Sequence, residues 1–172
     1  QLIEELVGKR GYLDVSMNYR MVKDGKNRFP AQIEDVKKAL EFITKNADKY
    51  EYNGNGYALM GGSAGAHLAM LYAYGYDDKK QVKTVIDLWG PTDFTDKAVR
   101  PDGSDADKTV INFLGEKDVN AQIAKDASPA YHLTKETAVP TILFHGGEDP
   151  LVNVSQAENL YKKLQALGIP AQ

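Results

Sequence analysis

Apolar residues recur in two rhythms that alternate along the chain. Short apolar runs lie at Tyr12–Met17, Tyr57–Met60, Val82–Leu88 and Thr141–Phe144. Runs of that length, bounded by turn residues, predict strands. After Pro30, Ile33, Val36, Leu40 and Ile43 recur at helical spacing; after Ser155, Ala157, Leu160, Tyr161, Leu164 and Leu167 do the same. Proline suits the first helical turn because no N–H is needed there. Ser155 with Glu158 three residues on reads as a capping box, and Gly168 as a stop. A third helix, rich in small residues, runs from Ala64 to about Tyr74. Turns fall at Lys23–Asn27, Gly54–Gly56 and Gly90–Pro91. Strands alternating with helices predict βαβ units, hence an α/β fold with a mostly parallel sheet and helices on both faces. Residues 92–133 break the rhythm into short helical pieces and read as a lid or shoulder insertion. Ligands of such sheets sit at the carboxyl ends of the strands. Ser63, Asp93 and Asp149 all follow strand ends, so all three are expected on that edge.

Composition narrows the classes. A length of 172 residues suits one domain, 1–172, and 42% hydrophobic residues can bury a core. The net charge of −3 comes from 21 basic and 24 acidic residues that are interspersed, which argues against a nucleic-acid partner. The absence of cysteine excludes a disulfide scaffold, a thiolate metal site and a cysteine nucleophile. The uncharged stretch Tyr57–Tyr76 has the length of a membrane span, about 20 residues. Its central glycines and His67 argue instead for strand, turn and helix, so no span is expected. No signal peptide is visible at the start. The compartment stays open, with a soluble cytoplasmic protein favoured over a secreted one. The three histidines are scattered without ligand spacing, and neither a metal nor a cofactor is expected.

The chemistry concentrates at Gly61-Gly62-Ser63-Ala64-Gly65, between the Tyr57 strand and the Ala64 helix. A serine that attacks a carbonyl must stand at the tip of a tight strand-to-helix turn, with glycines where a side chain would collide with neighbouring backbone. The same turn aims the first N–H groups of the helix, Ala64 among them, at a developing oxyanion. The plainer alternative is a helix-capping serine in a glycine-rich turn. The lysine of a phosphate loop is absent. A serine nucleophile needs a base, and the base an acid to orient it. Asp149, in His145-Gly146-Gly147-Glu148-Asp149-Pro150, is the preferred acid. Asp93 competes as a turn residue after a strand, and Glu148 is expected to point elsewhere. For the base the sequence is poor. His67 and His145 read as structural, and His132 is the one that could reach the serine.

These segments together resemble the esterase/lipase-type α/β-hydrolases. The resemblance runs through Tyr12–Arg20, Phe29–Val36, Gly61–Leu68, Val85–Asp93 and His145–Asp149, in that order. It is nearest to bacterial carboxylesterases related to acetyl-xylan and feruloyl esterases, while Ser63–Leu68 is also similar to arylformamidases. It implies a three-layer α/β-hydrolase domain with Ser63 as nucleophile, Asp149 as triad acid and the Ala64 N–H as one oxyanion donor. The family also carries a His-Gly-Gly oxyanion motif before the Leu13 strand, and a histidine after one further strand beginning near Gln172. Neither lies within residues 1–172. The chain therefore reads as incomplete at both ends, with activity of these residues alone hard to detect. Missing strands also leave apolar edges, so association into a homo-oligomer is expected.

The expected function is hydrolysis of a small-molecule, short-chain acyl ester through an acyl-enzyme on Ser63. The alternatives are an amide hydrolase of arylformamidase or peptidase type, or a non-catalytic module of the same fold that binds a ligand or partner.

Overall fold

Three strands form a parallel sheet in chain order: β1 (Tyr57–Gly62), β2 (Val82–Leu88) and β3 (Thr141–Phe144). The computed structural model of the protein describes residues 4–98 and 100–172. Helix α1 (Ala31–Lys45) precedes β1, and α2 (Ala64–Gly75) joins β1 to β2. Three helices, α3 (Asp105–Leu114), α4 (Gln122–Asp126) and α5 (Pro129–His132), lie between β2 and β3. Helix α6 (Ser155–Ala166) follows β3. Residues 170–172 then return alongside β3: Thr141 pairs in parallel with Ala171, and the Leu143 N–H donates to the Gln172 carbonyl at 2.8 Å. This isolated bridge lies next to Gln172, where the further strand is expected to begin.

The core explains why α2 lacks a polar face. Every residue from Ala66 to Tyr74 is buried, because the helix is enclosed by the sheet, α1 and α5. Ile33, Val36 and Leu40 from α1, Val82 and Val85 from β2, and Leu160 and Leu164 from α6 complete one cluster. Each such side chain contributes about 1.5–3 kcal/mol relative to exposure. Tyr74 lies within this core because its hydroxyl shares a 2.6 Å hydrogen bond with Thr141 Oγ1. The 92–133 stretch has a second, smaller core of Phe94, Val110, Leu114, Ala124 and Ala127. It is tied by a buried ion pair, Arg100 Nη2 to Asp107 Oδ1, at 2.8 Å. No helix of the described residues is long and apolar enough to cross a membrane.

Three local expectations are corrected. The strand expected at Tyr12–Met17 is absent: these residues join no ladder, and Tyr12 is 61% exposed. A strand exists only through its partner, and among the described residues β1 pairs on its β2 side alone. The capping box at Ser155 does not form, because Ser155 already lies within the helix and its own N–H is taken by Asn153 Oδ1. Pro30 sits one residue before α1 rather than inside its first turn. The sheet is parallel, as expected. Of the two expected helical layers the described residues supply one, and Met60, Ile142 and Phe144 on the other face are exposed.

Candidate active site

The turn from β1 into α2 is built by steric necessity. A Cβ added to Gly61 would lie 2.2 Å from the Gly65 carbonyl carbon and 2.5 Å from the Ala66 nitrogen. Strand and helix cross there too closely for any side chain. Gly65 differs, since a Cβ there would meet nothing within 4 Å, so the expected collision at that position is corrected. Between them Ser63 adopts φ 50° and ψ −117°, a conformation that costs a non-glycine residue on the order of 1–3 kcal/mol. Two backbone bonds hold it. The Ser63 N–H donates to the Leu88 carbonyl at 2.8 Å, and its carbonyl accepts from the His67 N–H at 3.0 Å. Its side chain makes no capping bond to the helix, which removes the plainer reading of this serine. Ala64 opens α2, so its N–H has no partner within the helix.

Ser63 and Ala64 line a cavity of about 250 Å³ whose wall is mostly apolar, with His67, Phe94, Phe113 and Val152 among the lining residues. The cavity lies at the carboxyl edge of the sheet, between the elbow, the 92–133 stretch and the loop after β3.

Asp149 lies in that last loop, on the same edge. Its Oδ1 accepts from the N–H groups of Val152 at 2.8 Å and Leu151 at 2.9 Å. Those two bonds, that from Val152 foremost, hold its carboxyl below the usual carboxylate range. Oδ2 accepts no hydrogen bond from the described residues; the nearest ring nitrogen, His145 Nε2, is 3.9 Å away. Val152 and Asn153 line the cavity with Ser63, although Asp149 itself does not. Asp93 is a turn residue, with Oδ1 accepting from the Thr95 N–H at 2.8 Å and the Thr95 hydroxyl at 2.6 Å. Glu148 is exposed.

None of the three histidines is placed as a base for Ser63. His67 is buried, with its Nε2–H donating to the Ala127 carbonyl at 2.7 Å and its ring 4.8 Å from that of Phe94. Burial pushes its pKa down to about 4, so the ring is neutral. His145 braces its own loop, Nε2 lying 2.7 Å from the Val152 carbonyl. His132, the one expected to be able to reach the serine, cannot. Its Nε2 bonds the Asp126 carbonyl at 2.8 Å, and its ring packs against Gly75 and Tyr76 at the far end of α2. A 12-residue helix spans roughly 18 Å at about 1.5 Å per residue, far outside proton-transfer reach.

One organising residue was invisible in the sequence. Gln156 of α6 is buried, and its Oε1 accepts from the N–H groups of Thr92 and Asp93, each at 2.7 Å. It ties the loop after β2 to the helix after Asp149. A polar residue inside a helical stripe carries no local mark of such a role. Among the described residues no group of three His, Cys, Asp or Glu could hold a metal ion.

Comparison with known proteins places this geometry in context. Residues 1–164 match the BD-FAE family. The probable carboxylic ester hydrolase LipM of Mycobacterium tuberculosis (strain ATCC 25618 / H37Rv) is 30% identical over 167 residues, covering 90% of this chain and 38% of LipM. Esterase LipC of the same organism is 27% identical over 175 residues, covering 92% of this chain and 41% of LipC. Among solved structures, a truncated form of a carbohydrate esterase from gut microbiota has a TM-score of 0.79 at 25% identity, over 91% of this chain and 62% of that one. A bifunctional GH43-CE protein of Bacteroides eggerthii has a TM-score of 0.80 at 26% identity, over 98% of this chain and 25% of that one. The chain spans about two fifths of the length of the two mycobacterial relatives.

Proposed function

The chain belongs to the BD-FAE family, and on that premise we propose that it carries the nucleophile and acid of a serine carboxylesterase acting on small, short-chain acyl esters. The observation that carries this reading is Ser63 itself: a strained serine whose side chain makes no capping bond and which lines a mostly apolar cavity. In this proposal Ser63 Oγ attacks the ester carbonyl and its proton passes to a histidine. The Ala64 N–H stabilises the tetrahedral oxyanion, a donor worth on the order of 10²–10³ in rate in a comparable enzyme. Collapse expels the alcohol with that proton and leaves an acyl group on Ser63. Water, deprotonated by the same histidine, then releases the acid.

The histidine is none of the three in this chain. We assign it to a segment outside residues 1–172, following the strand that Ala171 opens beside β3. A parallel strand there would end on the edge that carries Ser63, which supports the assignment. Asp149, with Oδ2 left to accept a ring N–H, would orient that histidine and stabilise its charged form. The 92–133 stretch would act as a shoulder that shapes the substrate cavity.

Fluorophosphonate labelling of the whole protein tests this reading. The label is expected on Ser63, and Ser63→Ala should abolish both labelling and ester hydrolysis, a loss of about 10⁶ in kcat by analogy with serine proteases. Labelling that survives Ser63→Ala would end the proposal.

A further inference from the structure

His67 is no base for Ser63, yet both residues line the same cavity. Helix geometry puts them close. Ser63 immediately precedes α2 and His67 stands four residues on, one turn or about 6 Å along the axis. Helical side chains lean back toward the N-terminus, so the imidazole lies over the turn that Ser63 opens.

The two ring nitrogens are held differently. Nε2 lies 2.7 Å from the Ala127 carbonyl, and a carbonyl only accepts, so Nε2 carries a hydrogen. Burial keeps the ring neutral, with its pKa pushed down to about 4. Nδ1 is therefore a bare acceptor. Three polar atoms of the described residues are sealed in without a partner: Gln32 Oε1, Asp87 Oδ2 and His145 Nδ1. His67 Nδ1 is not one of them. It accepts no hydrogen bond from the described residues, yet it keeps access to open space although the residue is only 3% exposed. The space that His67 lines is the cavity. Phe94 packs on the imidazole at 4.8 Å between centroids and Phe113 at 5.7 Å, perpendicular to it, and neither side chain has a donor to offer. A lone pair facing a mostly apolar cavity is costly when dry and satisfied when a ligand brings a donor.

We propose that His67 Nδ1 is a substrate-binding acceptor that selects short esters with a hydroxyl near the reacting carbonyl. One helical turn separates the acceptor from the nucleophile, which sets the reach at about four bonds from the carbonyl carbon. The substrate O–H donates to Nδ1 while Nε2–H keeps the Ala127 carbonyl, so the ring need not turn or change charge. A methyl group in place of that hydroxyl expels water and leaves the lone pair dry, and the analogue is disfavoured. The selectivity rests on the esterase reading; the acceptor itself does not.

Two ester pairs test the selectivity of the whole protein. Methyl glycolate against methyl propionate places the hydroxyl on the acyl side; 2-hydroxyethyl acetate against propyl acetate places it on the alcohol side. His67→Gln can keep the Ala127 bond through its amide N–H but has no atom in place of Nδ1. For at least one pair, the kcat/KM ratio of hydroxyl ester to isostere should fall by about tenfold or more in His67→Gln. A ratio unchanged in both pairs would overturn the proposal. Nitrogen NMR reads the acceptor without turnover, in whole Ser63→Ala protein labelled with ¹⁵N-histidine and assigned by elimination with His132→Gln and His145→Gln. Saturated with the selected hydroxyl ester, His67 Nδ1 should show the shift of a hydrogen-bonded nitrogen; with the isostere it should show that of a bare imine. Equal shifts with both esters of each pair, or a proton on Nδ1 at neutral pH, would overturn the proposal even if His67→Gln fails to fold. Failure of Ser63 to take the fluorophosphonate would end the esterase reading and leave the NMR contrast to decide the acceptor by itself.

Discussion

The two loops that flank the cavity are held by opposite means. The elbow is fixed by shape: Gly61 lies against the backbone of Gly65 and Ala66, and Ser63 is locked at φ 50° between a strand and a helix. The loop after β3 is fixed by polar bonds, through Asp149 Oδ1, the Val152 backbone and the His145 ring. Shape is indifferent to pH and intolerant of volume. A hydrogen-bonded loop tolerates volume and answers to protonation. In the proposed mechanism the nucleophile would need the first kind of support, because its position must not drift, and the orienting carboxylate the second, because its charge must be sustained.

Substitutions can break that contrast. Beyond Ser63 itself, the largest effect is expected for Asp149→Asn in the whole protein. The amide oxygen can still accept from Leu151 and Val152, so the fold should persist while kcat falls by about 10⁴, the loss seen when a triad acid becomes an amide. Intact kcat would move the acid role elsewhere, with Asp93 next in line. Gly61→Ala comes second. It pushes a methyl against backbone that cannot yield, so urea unfolding should show a loss of about 3 kcal/mol or more, at the upper end of overpacking costs. A loss under about 1 kcal/mol would mean that strand and helix can part.

The third test separates the two regions by pH. His67, beneath the elbow, has its pKa depressed to about 4 by burial, while the unfolded ring titrates near 6.5. A depressed pKa gives stability that is full above the unfolded value and lost as pH falls toward the folded one. The whole protein should therefore lose on the order of 3 kcal/mol relative to His67→Gln between about pH 6.5 and 4. Asp149 is depressed as well, so its contribution goes only below about pH 3.9, in a separate window. Urea midpoints at pH steps would resolve the two; parallel curves for protein and variant would refute a neutral buried His67. The smallest effect is Gly65→Ala, where a methyl meets open space and stability should stay within about 0.5 kcal/mol.

Residue spacing revealed the elements that carry their own information. The runs at Tyr57, Val82 and Thr141 became β1, β2 and β3, and the small-residue helix after Ser63 became α2. Ser63 and Asp149 stood out because glycine turns and strand ends are local features. Tyr12–Met17 looked equally like a strand and is none here, because a ladder bond belongs to two chain segments and only one can be read at a time.

Local chemistry thus fixed where a serine could be strained and where a carboxylate could follow a strand. Only the packed chain decided that His132 lies at the wrong end of α2 and that Gln156 joins the loop after β2 to α6. These relations join residues some sixty positions apart. They come from register and helix length acting together, and no window along the sequence contains them.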